Sequence, residues 1–317
     1  MIFLILLPVL GYSQNIKSDS IMTNVQSNDV VKFYDKQGNA YLYSKKDYGE
    51  KILPEELKLV WDKPDGLYSL IGSALGNGFS NELIDAGQRL ISIDSDTSRA
   101  YNTMGVIYLK CNLLDKAEQI LLYGINKCSD KAYLKTNLAK VYQTKGFSDK
   151  SYNTLWEAIE LDPNQDNAVI WIGAINREKG GREEYLKIMR KIAEIPSSWR
   201  AQLWIARDYL DNNDSVNALQ IYKEILPKVK NEPDAMWMIS GDLGKHGKCD
   251  EIISMVYPLY DLNKLDYRTG INIISACIES KNKVLGFKIL DDIKKLNRYD
   301  LTSLLIRLEN GLNKIQE

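Results

Sequence analysis

From Leu67 onward apolar residues recur three and four positions apart in segments of ten to fifteen residues, and turn-forming residues end each segment. Leu67, Leu70, Ile71 and Leu75 lay one stripe on a helix, and Leu83, Ile84, Leu90 and Ile93 lay a second, with Gly76, Asn77 and Gly78 as the turn between them. Upstream the period changes. Val30 to Tyr34 and Ala40 to Tyr43 are β-branched and aromatic segments on either side of Asp35 to Asn39, a pattern that predicts a β-hairpin. A lone hairpin is marginal, so it is expected to pack on the first helices as a cap or to bind something. Pro54 is expected to open a short helix through Trp61 that Pro64, Asp65 and Gly66 close. The last stripe, Leu301, Leu304, Leu305, Leu308, Leu312 and Ile315, predicts a terminal capping helix.

A small residue marks a longer beat. Gly105, Ala139, Gly173, Ala206 and Gly241 follow one another at intervals of about 34 residues. That is the period of a helix-turn-helix array, in which one helix pair cannot bury its own apolar face and must stack on the next.

Around the beat the residue types repeat as well. Tyr101, Met104, Gly105 and Tyr108 precede Ala117 and Leu121; Leu138, Ala139, Tyr142 and Gly146 precede Leu155, Ala158 and the run Leu161, Asp162, Pro163, Asn164. Later units keep Gly173 and Gly180, with Asn176 at the aromatic position; Ala206, Tyr209, Ala218 and Tyr222; and Trp237, Gly241 and Gly247, with Gly244 at the aromatic position. Tyr257 and Pro258 disturb one second helix, and a shortened unit surrounds Ala276, Gly286 and Leu290. From Ser98 to Ile293 the chain resembles the tetratricopeptide repeat family, and the block Asp162 to Arg207 is similar to bacterial members without an established activity. The resemblance implies an all-α fold: a tetratricopeptide-like right-handed superhelix of antiparallel helix pairs, here with a small N-terminal β-hairpin. The expected organisation is a signal peptide at 1–13, a lead-in, hairpin and short helix at 14–63, and an array of about six repeats at 64–317.

Charge narrows the partners. With 41 Lys and Arg against 42 Asp and Glu the net charge is -1, so no overall field attracts nucleic acid or an anionic membrane. Ile2 to Leu10 is too short an apolar run to span a bilayer and precedes the small residues Gly11 and Ser13, as a secretory leader would. The expectation is export to the periplasm or cell envelope, with no membrane span after cleavage. No Lys or Arg precedes the run, so a cytoplasmic protein is the alternative. Cys111 and Cys128 sit at opposite ends of a helix pair, roughly 20 Å apart at 1.5 Å per residue, and cannot bridge. Cys249 and Cys277 lie in neighbouring units, as a bridge or as small buried thiols.

Catalytic chemistry finds little footing. His246 is the only histidine, which excludes His-based triads and multi-His metal sites, and no phosphate-cradling or dinucleotide fingerprint occurs. Glu183 with Glu184 and Asp291 with Asp292 are adjacent on helices and diverge. A non-catalytic scaffold without cofactor or metal is therefore expected, binding a protein or peptide. Family members receive partners along the first helices of successive units. By that resemblance Trp171 and Trp204 form an aromatic pair in the groove, with Asn137 and Asn167 on one side and Arg177, Arg200, Arg207, Asp242 and Lys245 on the other. The Lys and Asn pattern with which some relatives clamp a peptide carboxylate is matched only at Asn137. The alternatives are tryptophans that fill an inter-repeat gap while Arg200 and Arg207 pair with carboxylates, an accessory subunit of an envelope assembly that uses its convex face, and an enzyme with an unfamiliar carboxylate site.

Overall fold

The computed structural model describes residues 30–34 and 40–315. The leader at 1–13, the lead-in from Asn15 to Asp29 and the hairpin turn from Asp35 to Asn39 lie outside the described residues. The fold is an all-α helical repeat with one two-stranded sheet among the described residues. Its contacts divide into two compact units, one running through Thr154 and the other starting at Leu155, inside the helix Ser148–Leu161.

In the first unit β1 (Val30–Tyr34) pairs antiparallel with β2 (Ala40–Ser44), Val31 opposite Tyr43 and Phe33 opposite Tyr41. Val31 is buried in one cluster with Tyr48, Leu53, Leu57, Leu67 and Ile71, so the hairpin closes the apolar end of the helix pair Pro64–Gly76 and Ile84–Ile93. Helical structure begins at Lys45 and not at Pro54. Ser44 caps it, its hydroxyl accepting from the Asp47 amide at 3.0 Å, and a π-helical stretch, Tyr48–Ile52, leads into Leu53–Val60, where Pro54 falls in the first turn and needs no donor. The next pair is Thr97–Lys110 and Leu114–Lys127, followed by Ala132–Thr144. Gly105 is needed for their approach: a Cβ there would lie 2.6 Å from Leu121 Cγ.

In the second unit Asp166–Ala193 is one helical run only in name. Gly180 and Gly181 leave helical geometry, Gly181 at φ 68°, and divide it into two antiparallel helices. The pair Arg200–Asp211 and Ser215–Val229 follows, then Pro233–Lys245 with a short irregular partner, then Tyr267–Glu279 with Lys283–Lys294, and finally Thr302–Asn313. Leu305, Leu308 and Leu312 of that last helix are buried against the repeat before it.

Two regularities order these pairs. Sixteen residues after each small slot lies the large residue that faces it from the second helix, as with Gly105 and Leu121, Gly173 and Met189, and Ala206 and Tyr222. The rule continues with Ser240 and Val256, both fully buried, while Gly241 beside the slot is half-buried. Val256 ends a π-helical stretch, Ile252–Val256, and Tyr257 follows in a 3-10 turn, Tyr257–Leu259. The second regularity is a left-handed residue in successive hairpin turns: Asn112, Gly146, Gly181, Asn213, Gly247 and Lys281 all have φ between 56° and 84°. Asn and Gly tolerate that conformation; Lys281 is forced into it.

The four cysteines are free thiols, Cys128 and Cys277 buried and the other two half-buried. Among the described residues no helix is long and apolar enough to cross a membrane.

Candidate functional site

The first helices of the second unit are tied together at their N-terminal ends by charges that alternate in sign at a 34-residue step: Asp166, Arg200, Asp234, Arg268. Arg200 is the centre of this ladder. Its Nη1 donates to Asp166 at 2.9 Å and its Nη2 lies 3.8 Å from Asp234, while its Nε donates to the carbonyl of Asn164. Asn164, in the turn made by Asp162, Pro163 and Asn164, bridges repeats as well. Its side-chain oxygen accepts from the amides of Trp199 and Arg200, and its amide donates to the Ser197 carbonyl. Arg268 continues the ladder to Asp234 at 3.3 Å and to Asp266 at 2.9 Å. The first unit holds one rung of the same kind, Asp65 to Arg99 at 2.8 Å.

Further along the same helices, arginines stack on aromatic rings and are held there by buried carboxylates. The Arg207 guanidinium lies 4.2 Å from the centre of the Trp204 ring, and its Nε donates to Asp242 at 2.7 Å. Arg177 lies 4.0 Å from the Tyr185 ring and donates to Asp208 at 3.0 Å; Arg182 donates to the other oxygen of Asp208 at 2.6 Å. Arg268 covers Trp237 at 4.2 Å, and Trp237 remains 38% exposed. Burial sets the electrostatics. It holds the Asp242 carboxyl above the usual carboxylate range, against the opposing pull of Arg207 and of the Tyr222 hydroxyl, which donates to Asp242 at 3.1 Å. Burial and the Asp242 charge raise the Tyr222 phenol, and burial pushes the Tyr185 phenol up to about 12.

The residues singled out in the sequence divide by environment. Asn137 belongs to the first unit, where it is buried and its amide donates to Asn102 at 2.8 Å, joining two neighbouring first helices. Trp171 and Asn167 are half-buried on the helix that starts at Asp166. Trp204 is half-buried on the next first helix, and its indole N–H is buried without a hydrogen-bond partner. Arg177, Arg207 and Asp242 belong to the stacks just described. Arg200 has a side chain only 7% exposed, and its donors are spent on repeat-to-repeat bonds. Lys245 is exposed and reaches Asp211 at 2.9 Å, beside His246, whose Nε2 lies 3.1 Å from the same carboxylate. The partners that fix these groups, Asp208, Arg182, Tyr185, Tyr222, Asp234 and Arg268, escape a reading confined to hot-spot residue types. The alternation of Asp and Arg at one repeat position was the signal that could have found the ladder.

Asp208 and Asp242 are each occupied by arginine, and among the described residues no three His, Cys, Asp or Glu side chains are placed to hold a metal ion.

The pairing of small-slot first helices with antiparallel second helices at a 34-residue step decides the fold. The chain is tetratricopeptide-like. No protein-family model matches it, and no curated protein does. Among solved structures it is similar to MamA, at 23% identity over 45% of this chain and 83% of that one, with a TM-score of 0.35. It is also similar to a tetratricopeptide repeat protein from Parabacteroides merdae, at 11% identity over 79% and 99% of the two chains and a TM-score of 0.38. A third, YrrB, described as a tetratricopeptide protein with an unusual peptide-binding site, shares 14% identity over 60% and 97%, with a TM-score of 0.32. With every one of these scores below 0.5, the fold assignment rests on the chain's own helix pairing.

Proposed function

We propose that this chain is a non-catalytic scaffold that receives a segment of a partner protein along the first helices of its second unit, with Trp171 and Trp204 as apolar anchors. One observation carries the reading: the Arg–aromatic stacks Arg177 on Tyr185, Arg207 on Trp204 and Arg268 on Trp237 are each oriented by a carboxylate. Binding hot spots are enriched in Trp and Arg, and a side chain already fixed loses less entropy when a partner arrives. Asn167 and Lys245 would flank the contact, while Arg200 would hold the repeats of that unit in register behind it and Asn137 those of the first unit.

The test is capture of the partner from the native cell by Trp171→Ala and Trp204→Ala, with circular dichroism as the check on folding. Loss of capture by a folded variant supports the reading, and unchanged capture by both refutes it. Under the same proposal the protein acts outside the cytoplasm, in the periplasm or envelope. Sequencing the mature N-terminus of the isolated protein would show cleavage near Ser13, and an intact Met1 would contradict export by that route.

A further inference from the structure

Between the helices Pro233–Lys245 and Tyr267–Glu279 lies a cleft of about 850 Å3. Its walls are small and polar: Ser240, Gly241 and Gly244 on one helix, Asn272, Ser275 and Ala276 on the other. Ser240 is the fully buried small residue of its helix, and the half-buried Gly241 and exposed Gly244 beside it leave the wall toward the next first helix open. Tyr257, after the π-helical stretch Ile252–Val256, lines a different hollow beside Lys288. A Cβ on Gly241 would meet only Asn272 Nδ2, at 3.6 Å, and one on Gly244 only Ile252 Cδ1, also at 3.6 Å.

The turn end of the cleft is acidic. Asp250, Glu251 and Glu279 have no ion-pair partner among the described residues, whereas Lys245 is engaged by Asp211 at 2.9 Å, leaving Lys281 as the uncommitted cation of the rim. All three carboxylates act on the half-buried Cys249 thiol, whose pKa is raised first by burial and then by Glu279, Asp250 and Glu251, so the charges converge on this end. Three carboxylates against the one uncommitted Lys281 leave this end net negative, and an incoming cation relieves it. Walls of Gly, Ser and Ala offer little to a bulky apolar side chain but admit a peptide backbone at close approach.

We infer that the cleft seats an extended segment of the partner protein that carries an arginine or lysine among small residues, its cation lying between Glu251 and Glu279. This rests on the scaffold reading above and names the chemistry of what is received. Trp237 lies one turn before Gly241 on the same helix, where its exposed ring offers the segment an apolar contact toward the other end.

The test uses the full-length chain and a fluorescein-labelled peptide of glycine and serine with one central arginine, alongside peptides with glutamine or glutamate at that place, followed by fluorescence anisotropy. The arginine peptide is expected to bind at least tenfold more tightly than the glutamine peptide, to lose affinity as salt is raised, and to weaken about tenfold in the double variant Glu251→Gln, Glu279→Gln. Gly241→Leu fills the cleft from a position with free space and should abolish binding while the helical signal is retained. Gly244→Leu is the second variant should the first disturb folding. Equal binding of the three peptides, tighter binding of the glutamate peptide, or binding untouched by both leucine variants would overturn the inference. Failure here with partner capture still dependent on Trp171 and Trp204 removes the cleft and leaves the scaffold; loss of that dependence removes the scaffold itself.

Discussion

Two glycines on first helices should respond to the same substitution with opposite sign. At Gly105 an added methyl would sit 2.6 Å from Leu121 Cγ and 3.2 Å from its Cδ1, where ordinary carbon contacts lie near 3.5–4.0 Å. The clash meets the branch point of a fully buried leucine, not a flexible tip, so overpacking should cost roughly 1–3 kcal/mol. Replacing glycine by alanine inside a helix returns about 0.8–1 kcal/mol. Gly105→Ala is therefore destabilising by up to about 2 kcal/mol. At Gly241 the methyl meets only Asn272 Nδ2 at 3.6 Å, so the helix term acts alone and Gly241→Ala should stabilise by about 0.5–1 kcal/mol. Urea unfolding followed by circular dichroism gives the global change. Because repeat arrays open locally, native-state hydrogen exchange on Thr97–Lys110 and Pro233–Lys245 gives the local one. Shifts of the same sign at both sites would refute the argument that Gly105 is closed over by Leu121 while Gly241 faces open space.

Other consequences are as direct. Lys281 holds φ 56° in a turn where its counterparts are Gly or Asn, so Lys281→Gly should raise stability by about 1 kcal/mol in the same urea assay, and no gain would show that the turn carries no strain. Arg200→Lys keeps the charge but loses the fork that joins Asp166 to the Asn164 carbonyl, so it should cost roughly 1–3 kcal/mol; a neutral result would make the ladder ornamental. Asp242 has a folded-state pKa raised above its unfolded value, so the folded state binds the extra proton. Wild type should therefore gain stability relative to Asp242→Asn as pH falls through that raised pKa toward the ordinary value of 3.8, and lose it again as pH rises. A pH-independent difference between the two proteins would show that Arg207 cancels the effect of burial, and wild type losing stability as pH falls would show that Arg207 outweighs it.

The repeat architecture was legible because its signals are local and periodic. A small residue every 34 positions, apolar stripes between turns and the stop at Pro163 each act within one helix pair, where spacing determines contact. What escaped depends on registration between pairs or on a change of helix type. Ser44 as a cap, which starts helical structure well before Pro54, is one hydroxyl in a sequence rich in them. The second helix of the unit at Ser240 contains a π-helical stretch, and apolar periodicity does not distinguish Ile252 to Val256 from an ordinary turn of helix. The arginines were visible as residue types, but whether their donors are spent on Asp166, Asp208 and Asp242 or left for a partner is a matter of neighbouring repeats.

The central claim, that the first helices of the second unit receive the partner, is tested most directly by hydrogen exchange with mass spectrometry on the native complex, compared with the free chain. The account predicts slowed exchange in Arg200–Asp211, Pro233–Lys245 and Tyr267–Glu279. Protection confined to the second helices Ser215–Val229 and Lys283–Lys294 would contradict it and move the contact to the opposite face.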